Sequence, residues 1–139
     1  MVIADTGFWV ALASSQDRHH DLATRRLQEL REGLITTWPV VTETCYLLLA
    51  RLGSSSQRSF IDSLSRGAAQ VYDLRLEHGP RISRLMKTYA NLPMDLADAS
   101  LVLLAEELGH GRILSTDRRD FTAYRWKSRK PFENMLLDD

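Results

Sequence analysis

Apolar positions along the chain recur with two alternating periods. Residues 2–4 (VIA) are a short β-prone run that stops at Asp5 and Thr6. Residues 8–13 continue as helix, and Leu22, Ala23, Leu27 and Leu30 recur at helical spacing over residues 20–30. Gly33 interrupts, residues 34–37 read as a second brief strand, and Pro39 suits a first helical position. Val41, Cys45, Leu48 and Leu52 then form a stripe at i, i+4, i+7 and i+11 that stops at Gly53. Ser54, Ser55 and Ser56 offer caps for a helix carrying Phe60, Ile61 and Leu64. Residues 69–74 predict a strand, and residues 76–90 a helix with Ile82, Leu85, Met86 and Tyr89 on one side.

Beyond the break at Asn91, Leu92 and Pro93, residues 95–108 carry the clearest helical pattern, with Ala97, Leu101, Leu104 and Leu108 in line and Gly109 as the stop. Residues 112–115 predict a strand that runs into Thr116 and Asp117. From Thr122 onward the pattern is mixed; an edge strand is expected near residues 124–126, with the rest of 126–139 a frayed end. Strands alternating with helices predict an α/β sandwich around a parallel sheet.

Composition narrows the chemistry. At 139 residues the chain is expected to be a single domain with its own core. The longest strongly apolar run, residues 45–50, is too short to cross a bilayer. The opening MVIADTGFWV lacks a basic leader and reads as a first strand, so a cytoplasmic protein with no membrane association is the expectation. Cys45 is the sole cysteine, which excludes an intrachain disulfide and a thiolate metal site. Net charge is zero, yet residues 112–130 hold seven basic side chains against Asp117 and Asp120. Such a run fits a solvated surface, and it equally fits a rim for a polyanionic substrate.

Four acids stand near predicted element ends: Asp5, Glu43, Asp98 and Asp117. In parallel sheets ligands bind beyond the carboxyl ends of the strands, which is where Asp5 and Asp117 fall. Glu43 lies off the apolar stripe of its helix, and Asp98 borders the buried stripe of its own, whereas Asp95 points further toward solvent. Each acid has a plain structural use: Asp5 and Asp95 as helix caps, Glu43 as a favourable charge near a helix start, Asp117 as a turn residue. Gathered together, they would repel unless they shared protons or held cations.

The strings ADTGFWVAL, TETCYLL, MDLADASLVLLAE and ILSTDRRDF, in this order and over nearly the whole chain, resemble the PIN-domain ribonucleases, and within them the VapC-like toxins of type II toxin–antitoxin pairs. The resemblance implies a three-layer α/β/α sandwich with a mostly parallel, about five-stranded sheet. It implies Mg²⁺ or Mn²⁺ at a carboxylate cluster and cleavage of single-stranded or loop RNA. By position, Asp5, Glu43, Asp98 and Asp117 look like the catalytic acids; Asp5, Asp98 and Asp117 like metal ligands, with Glu43 and Asp95 as further candidates; Thr6 and Thr116 like supporting hydroxyls. Arg118 and Arg119 are candidate RNA contacts. A cognate antitoxin and a homodimer follow as family expectations, and the helices carrying Phe8, Trp9, Tyr46 and Phe60 hold apolar surplus for them.

Three other readings compete. His19 and His20 are adjacent, so on a helix they point about 100° apart and cannot flank one phosphate. A phosphoacceptor signalling domain wants paired acids after its first strand and a late lysine, and RILSTD has no lysine. A catalytically silent module that binds protein or RNA while keeping the acids remains open.

Overall fold

A computed structural model of the chain describes residues 1–137. The chain runs β1 (Val2–Ala4), α1 (Thr6–Ala13), α2 (His20–Glu29), β2 (Leu34–Thr37), α3 (Trp38–Leu52), α4 (Ser54–Ser65) and β3 (Gln70–Tyr72). A short 3-10 turn (Leu76–His78) leads into α5 (Gly79–Thr88), α6 (Leu96–Leu108), β4 (Arg112–Leu114) and α7 (Arg118–Ala123). Three two-residue strands follow: β5 (Arg125–Trp126), β6 (Lys130–Pro131) and β7 (Glu133–Asn134). Five strands form one sheet in the order β3-β2-β1-β4-β7, every neighbouring pair parallel.

Ile3 sits in register between Ile35 and Ile113, at the centre of the sheet. All of β1 and β2 is buried. Successive strand residues face opposite sides, so burial of every residue means that both faces are covered, as helical crossovers between parallel strands require. The strand order reverses beside β1: the chain builds outward through β2 and β3, then returns to place β4 on the other side. That switch point opens a crevice beyond Ala4 and Leu114.

Several elements differ from the pattern the sequence predicts. The buried face of α3 is Val40, Val41, Thr44 and Leu48; Leu52, in the last turn, lines an open groove with Leu48 and stays exposed. The serines after α3 do not cap α4. Gly53, at φ +97°, ends one helix and starts the next, so Ser54 to Ser56 already lie in the first turn. The helix expected over residues 76–90 is broken into a 3-10 turn and α5, with Pro80 near the start of α5. Helix α7 has no apolar period to betray it, because six residues hold too few turns for a stripe.

The C-terminal segment differs most. The edge strand expected near residues 124–126 is one arm of a separate antiparallel hairpin, β5 with β6, and the fifth strand of the main sheet is β7. The hairpin rests on Gly111, where a Cβ would come within 2.6 Å of the Trp126 indole nitrogen. The Glu133 and Met135 amides donate to the carbonyls of Gly111 and Ile113, and Leu136 is fully buried. The chain is therefore packed rather than frayed through Leu137; the remainder of that expectation falls on residues 138–139, outside the described residues. Among the described residues no helix is long and apolar enough to cross a membrane.

Candidate active site

β1 and β4 end side by side, and each strand leads within three residues into a helix whose first free amides need an acceptor. Asp5 caps α1, its Oδ1 accepting from the Thr6 amide at 2.7 Å. Asp117 caps α7 in the same way, Oδ1 accepting from the Asp120 amide at 2.9 Å. Asp95 caps α6 through the Asp98 amide at 2.9 Å. The capping use and the site use are thus compatible: one oxygen is tied to a helix start while the carboxylate stays at the crevice. Three helix N-termini converge there, and their partial positive charge partly offsets the acids.

A cleft of about 490 Å³ at this crevice is lined by Asp5, Thr6, Glu43, Asp95, Asp98, Thr116 and Asp117, all singled out from sequence. Asp17, Asp120, Arg51 and Arg119 also line it, giving seven carboxylates against two guanidinium groups. Arg119 is held by Asp120 Oδ1 at 3.3 Å and the Leu92 carbonyl at 3.1 Å, which ties α7 to the loop ahead of α6. Arg118, one residue earlier, is exposed and does not line the cleft. His19 and His20 lie outside it too; His20 Nδ1 is 2.7 Å from the Ala11 carbonyl oxygen, and the His19 amide donates to Asp17.

A second group of residues holds the acids in place and was not legible in the sequence. The Ser115 hydroxyl donates to Asp5 Oδ2 at 2.9 Å and accepts from the Asp117 amide at 2.9 Å, so one side chain spans both strand-end acids. Asn134 on β7 grips Ser115 from the other side, Oδ1 accepting from its amide and Nδ2 donating to its carbonyl. The buried Tyr124 hydroxyl donates to Asp98 Oδ2 at 2.9 Å. Gly7 is required where it stands, since a Cβ would fall 1.8 Å from Thr116 Oγ1.

Electrostatically the cleft is uneasy. Asp5 is pushed up to about 7, first by burial, against which the Thr6 and Ser115 hydrogen bonds act, and further by the charges of Glu43 and Asp117. Asp98 is pushed up to about 8 by burial and then by Asp95. Burial also raises Asp117, whereas Tyr124 is raised by burial and by Asp98 and so stays a donor. The acids share the cleft without closing round a point: among the described residues no three His, Cys, Asp or Glu side chains form a ready-made ion cage. The donor set nevertheless fits a hard cation. Every candidate ligand is oxygen, two acids are strained as anions, and Thr6 Oγ1 is buried with no hydrogen-bond partner. Neither histidine nor cysteine is among the residues lining the cleft, which leaves little for zinc.

Comparison with known proteins bears on the family and the fold. The sequence model of the PIN domain matches residues 2–127. The chain is 26% identical over 124 residues to a Mycobacterium tuberculosis protein named Ribonuclease VapC26, covering 89% of this chain and 92% of that protein. Among solved structures it is similar to Mycobacterium tuberculosis VapC20, described as a sarcin-ricin loop cleaving toxin, with a TM-score of 0.83 at 20% identity over 94% of this chain and 100% of that one. At that identity the second likeness speaks for the fold.

Proposed function

The chain belongs to the PIN domain family, and from that premise we propose that it is an endoribonuclease of the VapC-like toxin type that cleaves single-stranded or loop RNA with Mg²⁺ or Mn²⁺. The observation that carries the reading is the carboxylate cleft at the sheet's switch point, with Asp5 and Asp98 both destabilised as anions. Buried like charges of this kind are relieved by a cation or by protons.

Asp5, Asp98 and Asp117 would hold the ion, with Glu43 and Asp95 as further oxygen donors. A bound Mg²⁺ or Mn²⁺ acidifies water and offsets the charge that builds on the phosphate. Glu43, half-buried on the cleft wall, accepts the proton of the attacking water. The water oxygen forms a bond to phosphorus, the bond to the 3′-oxygen breaks, and that oxygen leaves to take up a proton. Arg51 and Arg119 neutralise phosphate charge at the rim. The products carry 5′-phosphate and 3′-hydroxyl ends, because no 2′-oxygen takes part.

The family likeness adds a cognate antitoxin and a homodimer to this reading, and a cytoplasmic location with them. An apolar groove of about 470 Å³ lined by Trp9, Leu12, Leu27 and Phe60 is available to an antitoxin segment, with the buried Trp9 indole N–H lacking an acceptor. The test is incubation with structured RNAs under Mg²⁺ or Mn²⁺ and under EDTA, followed by mapping of the ends. Cleavage only with metal and 5′-phosphate ends are expected. Cyclic 2′,3′-phosphate ends would sink the mechanism, and binding with no cleavage under either metal would favour a silent binding module.

A further inference from the structure

Glu43 does not stand alone on α3. Pro39, Glu43 and Tyr46 fall at i, i+4 and i+7, so they share a face, with Trp38 at its start. That face forms one wall of a second groove, of about 720 Å³, closed opposite by Leu74, Leu96 and Ala97. The two grooves are continuous, because Glu43 and Asp95 line both. The second one is largely apolar, and its two aromatic side chains are uncovered: Trp38 is 51% exposed and Tyr46 70%. Trp38 is also oriented, since its indole N–H donates to Asp73 Oδ1 at 2.9 Å.

We propose that this groove is a base-stacking subsite, in which Trp38 and Tyr46 receive the unpaired bases next to the phosphate that is attacked beside Glu43. The inference rests on the ribonuclease reading and adds to it where the flanking nucleotides go. Along α3, at roughly 1.5 Å per residue, Tyr46 lies about 4.5 Å beyond Glu43 and Trp38 about 7.5 Å before it. A phosphate placed at Glu43 therefore brings its own nucleotides beside these rings. Stacking on aromatic faces is how single-stranded RNA is gripped, because every base offers a π-face. It also suits a groove edged by Asp73 and Asp95, whose charge disfavours further phosphates but not neutral bases. A second copy of the chain is the alternative occupant, and sedimentation of the Trp38→Ala variant separates it from RNA.

Two of the three tryptophans are buried, Trp9 at 5% and Trp126 at 7% exposure, so quenching of the emission by an added chain reports Trp38. The experiment titrates the Asp5→Asn variant, with Mg²⁺ present, with a short single-stranded RNA and with an abasic chain of equal length. Quenching by the first alone is expected, together with a rise in KM of about 5- to 100-fold and little change in kcat for Trp38→Ala in the otherwise wild-type enzyme. Trp38→Phe should restore KM, and Tyr46→Ala should show a smaller rise. Equal quenching by the abasic chain, or none by either, overturns the subsite. So does a Trp38→Ala protein whose sedimentation changes while its KM does not, which would make the groove a contact between copies. If wild type cuts no RNA yet the base-bearing chain quenches, the nuclease reading falls and the subsite stands. Cleavage without quenching removes the subsite and leaves the nuclease reading in place.

Discussion

At the start of β1, Glu32 receives a two-pronged hydrogen bond from Arg112 and an ion pair from the Met1 ammonium at 3.0 Å. Those bonds, the Arg112 contribution foremost, bring its carboxyl down to about 2. At the other end of the same strand, Asp5 is bonded by neutral donors, the Thr6 amide and the Ser115 hydroxyl, and sits near 7. One strand of three residues thus has a matched acid beside its amino end, Glu32 from the turn before β2, and an unmatched one, Asp5, at its carboxyl end. Matching charge would have been simple to achieve twice. The carboxyl end instead gathers seven carboxylates, two guanidinium groups and three helix starts, and on the proposed reading a cation supplies the missing match.

The sharpest way to break the comparison is Asp5→Asn. Cleavage should fall by about 100-fold or more, roughly 3 kcal/mol of transition-state stabilisation. Stability should move the opposite way. An acid whose folded pKa is raised from 3.8 to about 7 supports the metal-free fold fully below pH 4. That support is lost as pH rises through 7, because over this range the folded state still holds the proton that the unfolded state has already released. Without metal, wild type should lose stability between pH 4 and 8, by a few kcal/mol at most, and Asp5→Asn should lose less. Urea melts in EDTA across this range check it. A variant that cuts at the wild-type rate, or one less stable than wild type at pH 8, would put Asp5 with Glu32 as an ordinary structural acid.

A smaller effect is expected at Tyr124. Its hydroxyl donates to Asp98 Oδ2 while its ring packs edge-on against Tyr89 and Phe121. Tyr124→Phe keeps the packing and frees the carboxylate, so the Mg²⁺ concentration for half-maximal cleavage should rise about 10-fold, in the range of a lost outer hydrogen bond to a ligand. A merely structural tyrosine would shift the melting temperature and leave the metal dependence alone.

The difference between Asp98 and Tyr124 also explains how much of the molecule is legible in its sequence. Asp5, Asp98 and Asp117 announce themselves locally: each lies at a strand end or beside an apolar stripe, and the residues that define its surroundings are neighbours in sequence. The parallel α/β order is legible for the same reason. Ser115, Asn134 and Tyr124 act across 110, 19 and 26 positions, and nothing in RILSTD or RKPFENM marks that pairing. β7 has two residues and no alternation, so only its partner β4 makes it a strand. Arg51 sits in the last turn of α3, where a basic side chain is at home without any site. Tyr46 reads as apolar surplus beside Phe8, Trp9 and Phe60; those three are buried, and Tyr46 is not.

The smallest effect belongs to the matched end and tests it most directly. Glu32→Gln keeps the shape and a hydrogen-bond acceptor for Arg112 but removes the charge that Arg112 and the Met1 ammonium share. The pair is solvent-exposed, so its Coulomb energy is screened by salt. A carboxylate with a folded pKa near 2 contributes above its unfolded value and loses that contribution as pH falls through the folded one. Glu32→Gln should therefore lower the melting temperature slightly at neutral pH and low salt. The difference should close at pH 2 and in high salt, and RNA cleavage should stay at the wild-type rate throughout. A loss of cleavage comparable to that of Asp5→Asn would erase the contrast, because it would mean that the two ends of β1 act as one electrostatic unit rather than as an anchor and a site.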